Sequence, residues 1–332
     1  MTFFITGATG FLGGAIVRQL RQRGHEVVAL VRVPEKASNL SALGVTIVKG
    51  DVTDKESMRH PMTGCDGVFH VAGWYKVGAR DKRPGREINI NGTRNVLELM
   101  KELGIPKGVY TSTLAVNSNT HGELRDEKFR FAGKHLSAYD KTKAEAHDIA
   151  LQFISEGLPL VILMPGMIYG PDGTALSDHS WRLYLRKKLP MIVSRTAYCY
   201  GHVDDMAQAH VSAMELAKPG SSYIIAGPAR RLTEAFDIAK RITGIRKPMT
   251  VPPWVIRLSS ILIRPIEKII PLPELYTSEA MRVLAGVTYL GDSSKARREL
   301  GFNPRPLEVG LRETLEYEME KMGIKGGSSA SR

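Results

Sequence analysis

The segment Thr6-Gly7-Ala8-Thr9-Gly10-Phe11-Leu12-Gly13 constrains the fold of this chain more than any other. It follows the apolar run Phe3-Phe4-Ile5 and opens a helical pattern over 11–23 that stops at Gly24. A strand that turns through glycines into a helix aims the unpaired N–H groups of the helix start at the turn, a ready site for negative charge. Gly7 allows the tight reversal, Gly10 lets the backbone approach a pyrophosphate, and Gly13 lets helix and strand pack closely. Thr9, Phe11 and Leu12 fill the same turn, and all six residues are candidate cofactor contacts. The strand–turn–helix context is what separates such a site from a bare glycine-rich loop.

The alternation continues down the chain. Strands are predicted at 26–31, 45–48, 67–71, 108–112 and 160–164, with helices over 35–43, 91–103 and 139–156 between them. Short β-branched strands separated by helices imply an α/β fold with a doubly wound parallel sheet. After Pro165 the regularity weakens as Pro and Gly interrupt short helices such as 204–216. A last helix from Pro306 sets Leu311, Leu315, Met319 and Met322 on one face. The expected division is a dinucleotide-binding domain over 1–165 and a smaller C-terminal substrate lobe over 166–322, some of whose segments return to the first domain. Residues 323–332 read as a flexible tail.

Lys and Arg number 46 against 34 Asp and Glu, a formal net charge of +12 in 332 residues. That excess implies an anionic partner: a phosphorylated cofactor, nucleic acid or a lipid surface. No zinc-finger spacing, RNP motif or dense basic helix supports nucleic acid. The nine histidines lack HExxH-type spacing, so no metal site is expected. Cys65 and Cys199 are far apart and form no CxxC pair, and Met1 runs straight into the first strand. The expectation is a cytoplasmic protein. The apolar stretch 254–270 is interrupted by Arg257, Arg264, Glu267 and Lys268, so it does not read as a spanning helix. Its Leu258, Leu262 and Ile266 share a side, and Pro265 kinks or ends the helix. The favoured reading is a helix that covers its own domain, with contact to a membrane surface as the alternative. Two basic clusters, Arg80/Lys82/Arg83/Arg86 and Arg182/Arg186/Lys187/Lys188, read as solvated faces.

The ribose of a dinucleotide meets the end of the second strand, where an acid selects NAD and an arginine accommodates a 2′-phosphate. Here the strand ends Leu30-Val31-Arg32, with Lys36 following. NADP(H) is therefore the preferred cofactor, with NAD(H) as the alternative. Tyr139 and Lys143 stand one helical turn apart and share a face. A tyrosine ordinarily titrates near pH 10, and a neighbouring ammonium or a nicotinamide cation favours its phenolate. Taken alone the pair reads as an exposed helix face; Thr111-Ser112-Thr113, at the end of a predicted strand, changes that reading.

Together these motifs resemble the extended short-chain dehydrogenase/reductase superfamily, the NAD-dependent epimerase/dehydratase group. Gly50-Asp51-Val52-Thr53 resembles its adenine-binding turn, and His70-Val71-Ala72-Gly73 its cofactor-contacting strand end. Asn89-Ile90-Asn91-Gly92-Thr93 resembles a helix start of the family, and the stretch from Pro165 through Ile168 to Pro171 the segment covering the nicotinamide. His202-Val203-Asp204-Asp205 and the run from Ser294 to Gly301 match later signatures, so the likeness extends over about 1–320.

The resemblance implies Tyr139 as acid/base, Lys143 as ribose ligand lowering the tyrosine pKa, Thr113 as a hydrogen-bond partner of the reacting oxygen, and Asn89 as a helper. Ser112 ranks behind Thr113, since it points to the other side of an extended strand. Leu114 and Ala115 stand where 4,6-dehydratases carry an Asp-Glu pair, which sets that branch aside. Arg32, Lys36 and the run from His70 to Tyr75 resemble the dihydroflavonol-reductase-like and hydroxysteroid-dehydrogenase-like branch. The implied activity is reduction of a ketone or aldehyde, or the reverse oxidation, on a small and partly apolar substrate. Trp74 and Tyr75 either face that substrate or pack in the core. The alternatives are an NAD(P)-dependent nucleotide-sugar epimerase and a non-catalytic NADP sensor. Family members often dimerise through helices that correspond here to 91–103 and 139–156.

Overall fold

The computed structural model describes residues 1–173, 176–267 and 269–324. Seven strands form its main sheet: β1 (Thr2–Thr6), β2 (Glu26–Val31), β3 (Thr46–Lys49), β4 (Gly67–His70), β5 (Gly108–Thr111), β6 (Leu160–Pro165) and β7 (Ser222–Ile225). Their spatial order is β3-β2-β1-β4-β5-β6-β7, and every pairing is parallel. The central strands are apolar on both faces because helices cover both; β6 is buried at every position. The helices used below are α1 (Phe11–Gln22), α2 (Thr93–Glu102), α3 (Ala138–Ser155) and α4 (Val203–Leu216). One core joins α1 and α4 to the sheet, and a second joins α2 and α3 to its other face.

Strand order reverses between β1 and β4, which opens a crevice beyond their C-terminal ends. The glycine turn after β1 and the loop after β4 meet there. A third core of Trp181, Tyr184, Tyr198, Tyr200, Phe236, Leu311 and Leu315 builds the lobe beside it. Its central strand, Ala197–His202, is buried at all six positions and pairs with Met167–Tyr169, Ala229–Arg231 and Thr288–Tyr289.

Three sequence expectations need adjustment. The helix expected at 35–43 is a 3₁₀ turn, Pro34–Lys36, and one α turn, Ser38–Ser41. Only Ala37 and Leu40 are well buried there, too little apolar face to hold a longer helix. The helix expected at 91–103 starts at Thr93, after a π-turn over Arg86–Gly92 that buries Asn89. The segment 254–270 forms α5 (Pro253–Ile266), yet Ser260 is its one buried residue, so it does not cover its own domain with its apolar side. Lys268 and residues 325–332 lie outside the described residues. Among those described, no helix is long and apolar enough to cross a membrane.

Candidate active site

The glycine turn is shaped by close approach. Gly7 has φ +77°, and a Cβ on it would stand 2.6 Å from the Ala72 nitrogen. A Cβ on Gly13 would stand 2.1 Å from the Gly7 carbonyl oxygen, which already accepts from Gly10 N at 2.9 Å. Gly10 caps α1 without a side chain, so the first-turn N–H groups have no side-chain cap. Thr9 is exposed, Phe11 half-buried and Leu12 buried against the sheet.

A buried polar column fixes this turn to its neighbours. The Thr6 hydroxyl accepts from Ala72 N at 3.2 Å and hydrogen-bonds His70 Nδ1 at 2.8 Å, while His70 Nε2 meets Thr93 Oγ1 at 3.0 Å. Burial pushes His70 down to about 3, so its ring is neutral. Val71 and Ala72 are half-buried beside the turn, and Gly73 is exposed. A side chain at Gly73 would meet Asn89 Oδ1 at 3.5 Å and Lys143 Nζ at 4.0 Å, so the cofactor strand end borders the Lys143 site.

At the end of β2, Arg32 and Lys36 are exposed, and their side chains have no hydrogen bond or ion pair among the described residues. Asp51 Oδ1 accepts from both the N–H and the hydroxyl of Thr53 at 2.9 Å, and the buried Val52 offers its carbonyl to Asn95 Nδ2 at 2.9 Å. Glycines with no room for a Cβ, an uncapped helix start and two unpaired cations fit a phosphorylated dinucleotide.

Thr113 follows β5 in extended geometry and caps the short turn Leu114–Asn117 by accepting from Ala115 N at 3.2 Å. Its hydroxyl offers a hydrogen bond to the Tyr139 phenol. Ser137 caps α3, accepting from Asp140 N at 3.0 Å, and so starts the helix that presents Tyr139 and Lys143. Burial, opposed by the Thr113 hydroxyl, pushes Tyr139 up to about 12. Lys143 is buried, donates to the Thr111 carbonyl at 2.8 Å and the Tyr110 hydroxyl at 3.2 Å, and is pushed down to about 7 by desolvation. In this structure burial dominates the phenol, and Lys143 Nζ is turned toward Thr111 and Tyr110.

Other candidates separate from this group. The Ser112 hydroxyl is buried against His147 Nδ1 at 2.8 Å, so Ser112 faces away from Tyr139 and is not placed as a substrate contact. Asn89 accepts from Trp74 N at 2.7 Å and donates to Trp74 O and Thr142 Oγ1, both at 2.9 Å. With its amide so occupied, Asn89 ties the strand end to α3. The Trp74 ring packs over Gly85, which settles it as core, whereas Tyr75 is exposed. Pro165 ends β6, and Ile168 lies half-buried in the strand that follows.

Two acids that sequence reasoning missed join the lobe to the start of α3. Buried Asp140 accepts from Ser137 Oγ at 2.7 Å and the Tyr289 hydroxyl at 3.0 Å, and desolvation pushes it up to about 6. Buried Glu279 accepts from Ala138 N at 3.0 Å and pairs with Lys82. Glu279 had no local signal, since its partners lie in distant parts of the chain, and for Asp140 only Ser137 is local, Tyr289 being 149 positions away. The basic clusters resolve in part: Lys82 binds Glu279, Arg83 binds Asp81 at 2.9 Å, and Arg182 binds Glu318 at 2.8 Å. His202, Asp204 and Glu313 bring metal-type ligand atoms within 4.8 Å of one another. There the His202 ring accepts from Asp204 N at 3.3 Å and caps α4, and Arg305 supplies the counter-charge to Glu313 at 2.9 Å. That arrangement is a cap with an ion pair.

The strand order and the glycine crevice define a nucleotide-binding α/β protein. Residues 3–226 match the model of the NAD dependent epimerase/dehydratase family, and the chain belongs to that family. It is 30% identical over 329 residues to a putative dihydroflavonol 4-reductase of Synechocystis sp., covering 95% of this chain and 94% of the other. It is 33% identical over 278 residues to a 2-alkyl-3-oxoalkanoate reductase of Shewanella oneidensis, covering 78% and 69%. The crystal structure of gox2253 superposes with a TM-score of 0.85 at 26% identity, over 97% of this chain and 99% of that one. The protein is an NAD(P)-dependent oxidoreductase of the extended short-chain dehydrogenase/reductase type.

Proposed function

We propose that this protein uses NADPH to reduce a ketone or aldehyde on a small, partly apolar molecule, with Tyr139 as the proton donor. The observation that carries the reading is the convergence of Thr113, Tyr139 and Lys143 beside the glycine crevice. Tyr139, pushed up to about 12, is protonated at neutral pH and so holds the proton that a carbonyl oxygen needs as it becomes an alkoxide. The Thr113 hydroxyl bonds the same oxygen and orients it. Lys143 is held by Thr111 and Tyr110 and has a further N–H to offer a ribose hydroxyl. Bound NADPH supplies the hydride, while the protein supplies orientation and the proton.

The reductases among the relatives support reduction over the reverse oxidation. Unpaired Arg32 and Lys36 support a 2′-phosphate, and hence NADPH over NADH. The alkyl and flavonoid carbonyl compounds in the relatives' names support a substrate with an apolar body. The test is Tyr139→Phe assayed against a panel of alkyl ketones by loss of NADPH absorbance. The variant should lose roughly 10²–10⁴-fold in kcat, with NADPH binding by fluorescence unchanged. Unaltered turnover would remove Tyr139 from the mechanism. Tightly held, non-exchanging NAD in the purified protein would turn the reading toward an epimerase.

A further inference from the structure

Helix α5 carries a side that none of the described residues covers. Trp254 is 63% exposed, Leu258 49%, Ile261 68% and Leu262 62%, and the apolar run continues past the helix with Ile269 at 83%. At 100° per residue, the four helix positions fall on one face, opposite Ile256, Ser260 and Ile263, which turn inward. The helix contains no acidic residue. Arg257 and Arg264 fall together along one edge of the apolar face, both exposed, their side chains without an ion pair or hydrogen bond among the described residues. An apolar stripe with a tryptophan at one end and a cationic edge matches the headgroup boundary of an anionic bilayer, where arginine stems lie along lipid and guanidinium groups reach phosphate. The excess of basic residues over the whole chain adds attraction of the same sign.

The support beneath α5 ties this face to the mouth of the site. The Ser260 hydroxyl donates to Ser278 O at 2.9 Å, and Glu267 accepts from Ser278 N at 2.7 Å and Ser278 Oγ at 2.6 Å, which clamps α5 onto helix α6 (Ser278–Leu284). From α6, Glu279 holds Ala138 N at the start of α3. The loop that leaves the cofactor strand end through Trp74 and Tyr75 rests on the same support. Lys76 pairs with Glu274 at 3.2 Å, Lys82 pairs with Glu279, and a Cβ on Gly78 would fall 2.1 Å from Thr277 Oγ1.

We infer that α5 docks on an anionic lipid bilayer surface and that docking sets the substrate mouth against that surface. The helix lies in the interface plane, and at about 1.5 Å rise per residue its apolar side is far too short to cross. A substrate with an apolar body partitions into the same layer, so the docked protein would collect it by lateral diffusion in the bilayer instead of from water. The docking itself stands without the reductase reading, because vesicle binding is measured with no turnover.

The experiment is flotation of the full chain with vesicles of phosphatidylcholine alone and of phosphatidylcholine mixed with phosphatidylglycerol. The wild type should float with the mixed vesicles, and less so as salt rises. Ile261→Glu/Leu262→Glu should weaken that binding at least about tenfold while leaving thermal stability unchanged, since both side chains are exposed. Arg257→Glu/Arg264→Glu should remove the preference for the mixed vesicles. Absence of flotation with the mixed vesicles would overturn the inference, as would binding indifferent to Ile261→Glu/Leu262→Glu. A solution dimer, seen by light scattering, that this variant dissociates would also overturn it, by assigning the face to a second copy of the chain.

Discussion

Gly13 and Gly14 are adjacent in the first turns of α1, and alanine at the two positions should have opposite effects. At Gly14 a Cβ would lie 3.5 Å from the Ala8 carbonyl oxygen and 3.8 Å from an Arg18 guanidinium nitrogen, which is ordinary contact. Gly14→Ala therefore gains the helix propensity that glycine lacks, about 0.5–1 kcal/mol. At Gly13 the Cβ would lie 2.1 Å from the Gly7 carbonyl oxygen and 2.7 Å from its carbon, so helix and turn must part by roughly 1 Å. The turn has no slack to give. Gly7 O is held by Gly10 N at 2.9 Å, and Gly7 itself leaves no room for a Cβ against Ala72. The helix must move instead, and overpacking of this kind costs about 1–3 kcal/mol, more than the propensity returns. Urea unfolding at constant m-value measures both changes. NADPH titration adds a second readout, because moving α1 displaces the N–H groups at its start. Gly13→Ala should lower the urea midpoint and weaken NADPH binding, while Gly14→Ala should raise the midpoint and leave binding alone. Equal signs at the two positions, or a Gly13→Ala protein as stable as wild type, would refute the close-approach argument.

Three other outcomes are expected. Arg32→Asp should weaken NADPH binding by an order of magnitude or more, since charged hydrogen bonds contribute about 1.5–3 kcal/mol, and should leave NADH little changed; equal loss for both cofactors would refute the phosphate assignment. Ser112→Ala should cost about 1–3 kcal/mol by stranding the buried His147 Nδ1 with kcat retained, whereas Thr113→Ala should lower kcat with stability near wild type. The reverse pattern in urea melts and kinetics would exchange their roles. Asp140 titrates at about 6 in the folded chain, above the ordinary carboxylate value of about 3.9. Stability from this group is thus present below the ordinary value and lost as pH rises through about 6. Asp140→Asn should flatten the stability profile across that window, and an unchanged profile from urea melts would assign the dependence elsewhere.

What the sequence made legible was local. β2 matches its expected span, and the turn from Thr6 to Gly13 carries its geometry in adjacent residues. The separation of Ser112 from Thr113 was also readable, because neighbours in an extended strand point to opposite sides. The hydrogen bonds of Asn89 were illegible because its partners are Trp74 and Thr142, 15 and 53 positions away, and because the π-turn that buries it has no hydrophobic period of its own. The fate of α5 was illegible for a different reason. An amphipathic pattern has the same period whether its apolar side is covered or bare, so only the surrounding fold distinguishes the two.

The site depends on the lobe before any substrate arrives. The first turn of a helix leaves N–H groups without partners inside the helix. In α3 one of these is met locally, by Ser137 on Asp140 N, but the Ala138 N–H is met by Glu279 from the lobe. Asp140, beside Tyr139 in sequence, is in turn held by Tyr289, and Tyr289 stacks with its ring at 6.2 Å on Tyr198 of the lobe's central strand. A carboxylate near a helix start is favourable, and one that is buried there must keep its partners. The placement of Tyr139 therefore requires the docked lobe as well as the cofactor sheet. The lobe thus completes the first turn of the helix that presents Tyr139, so a change in the lobe that frees Glu279 or Tyr289 reaches Tyr139 through that turn.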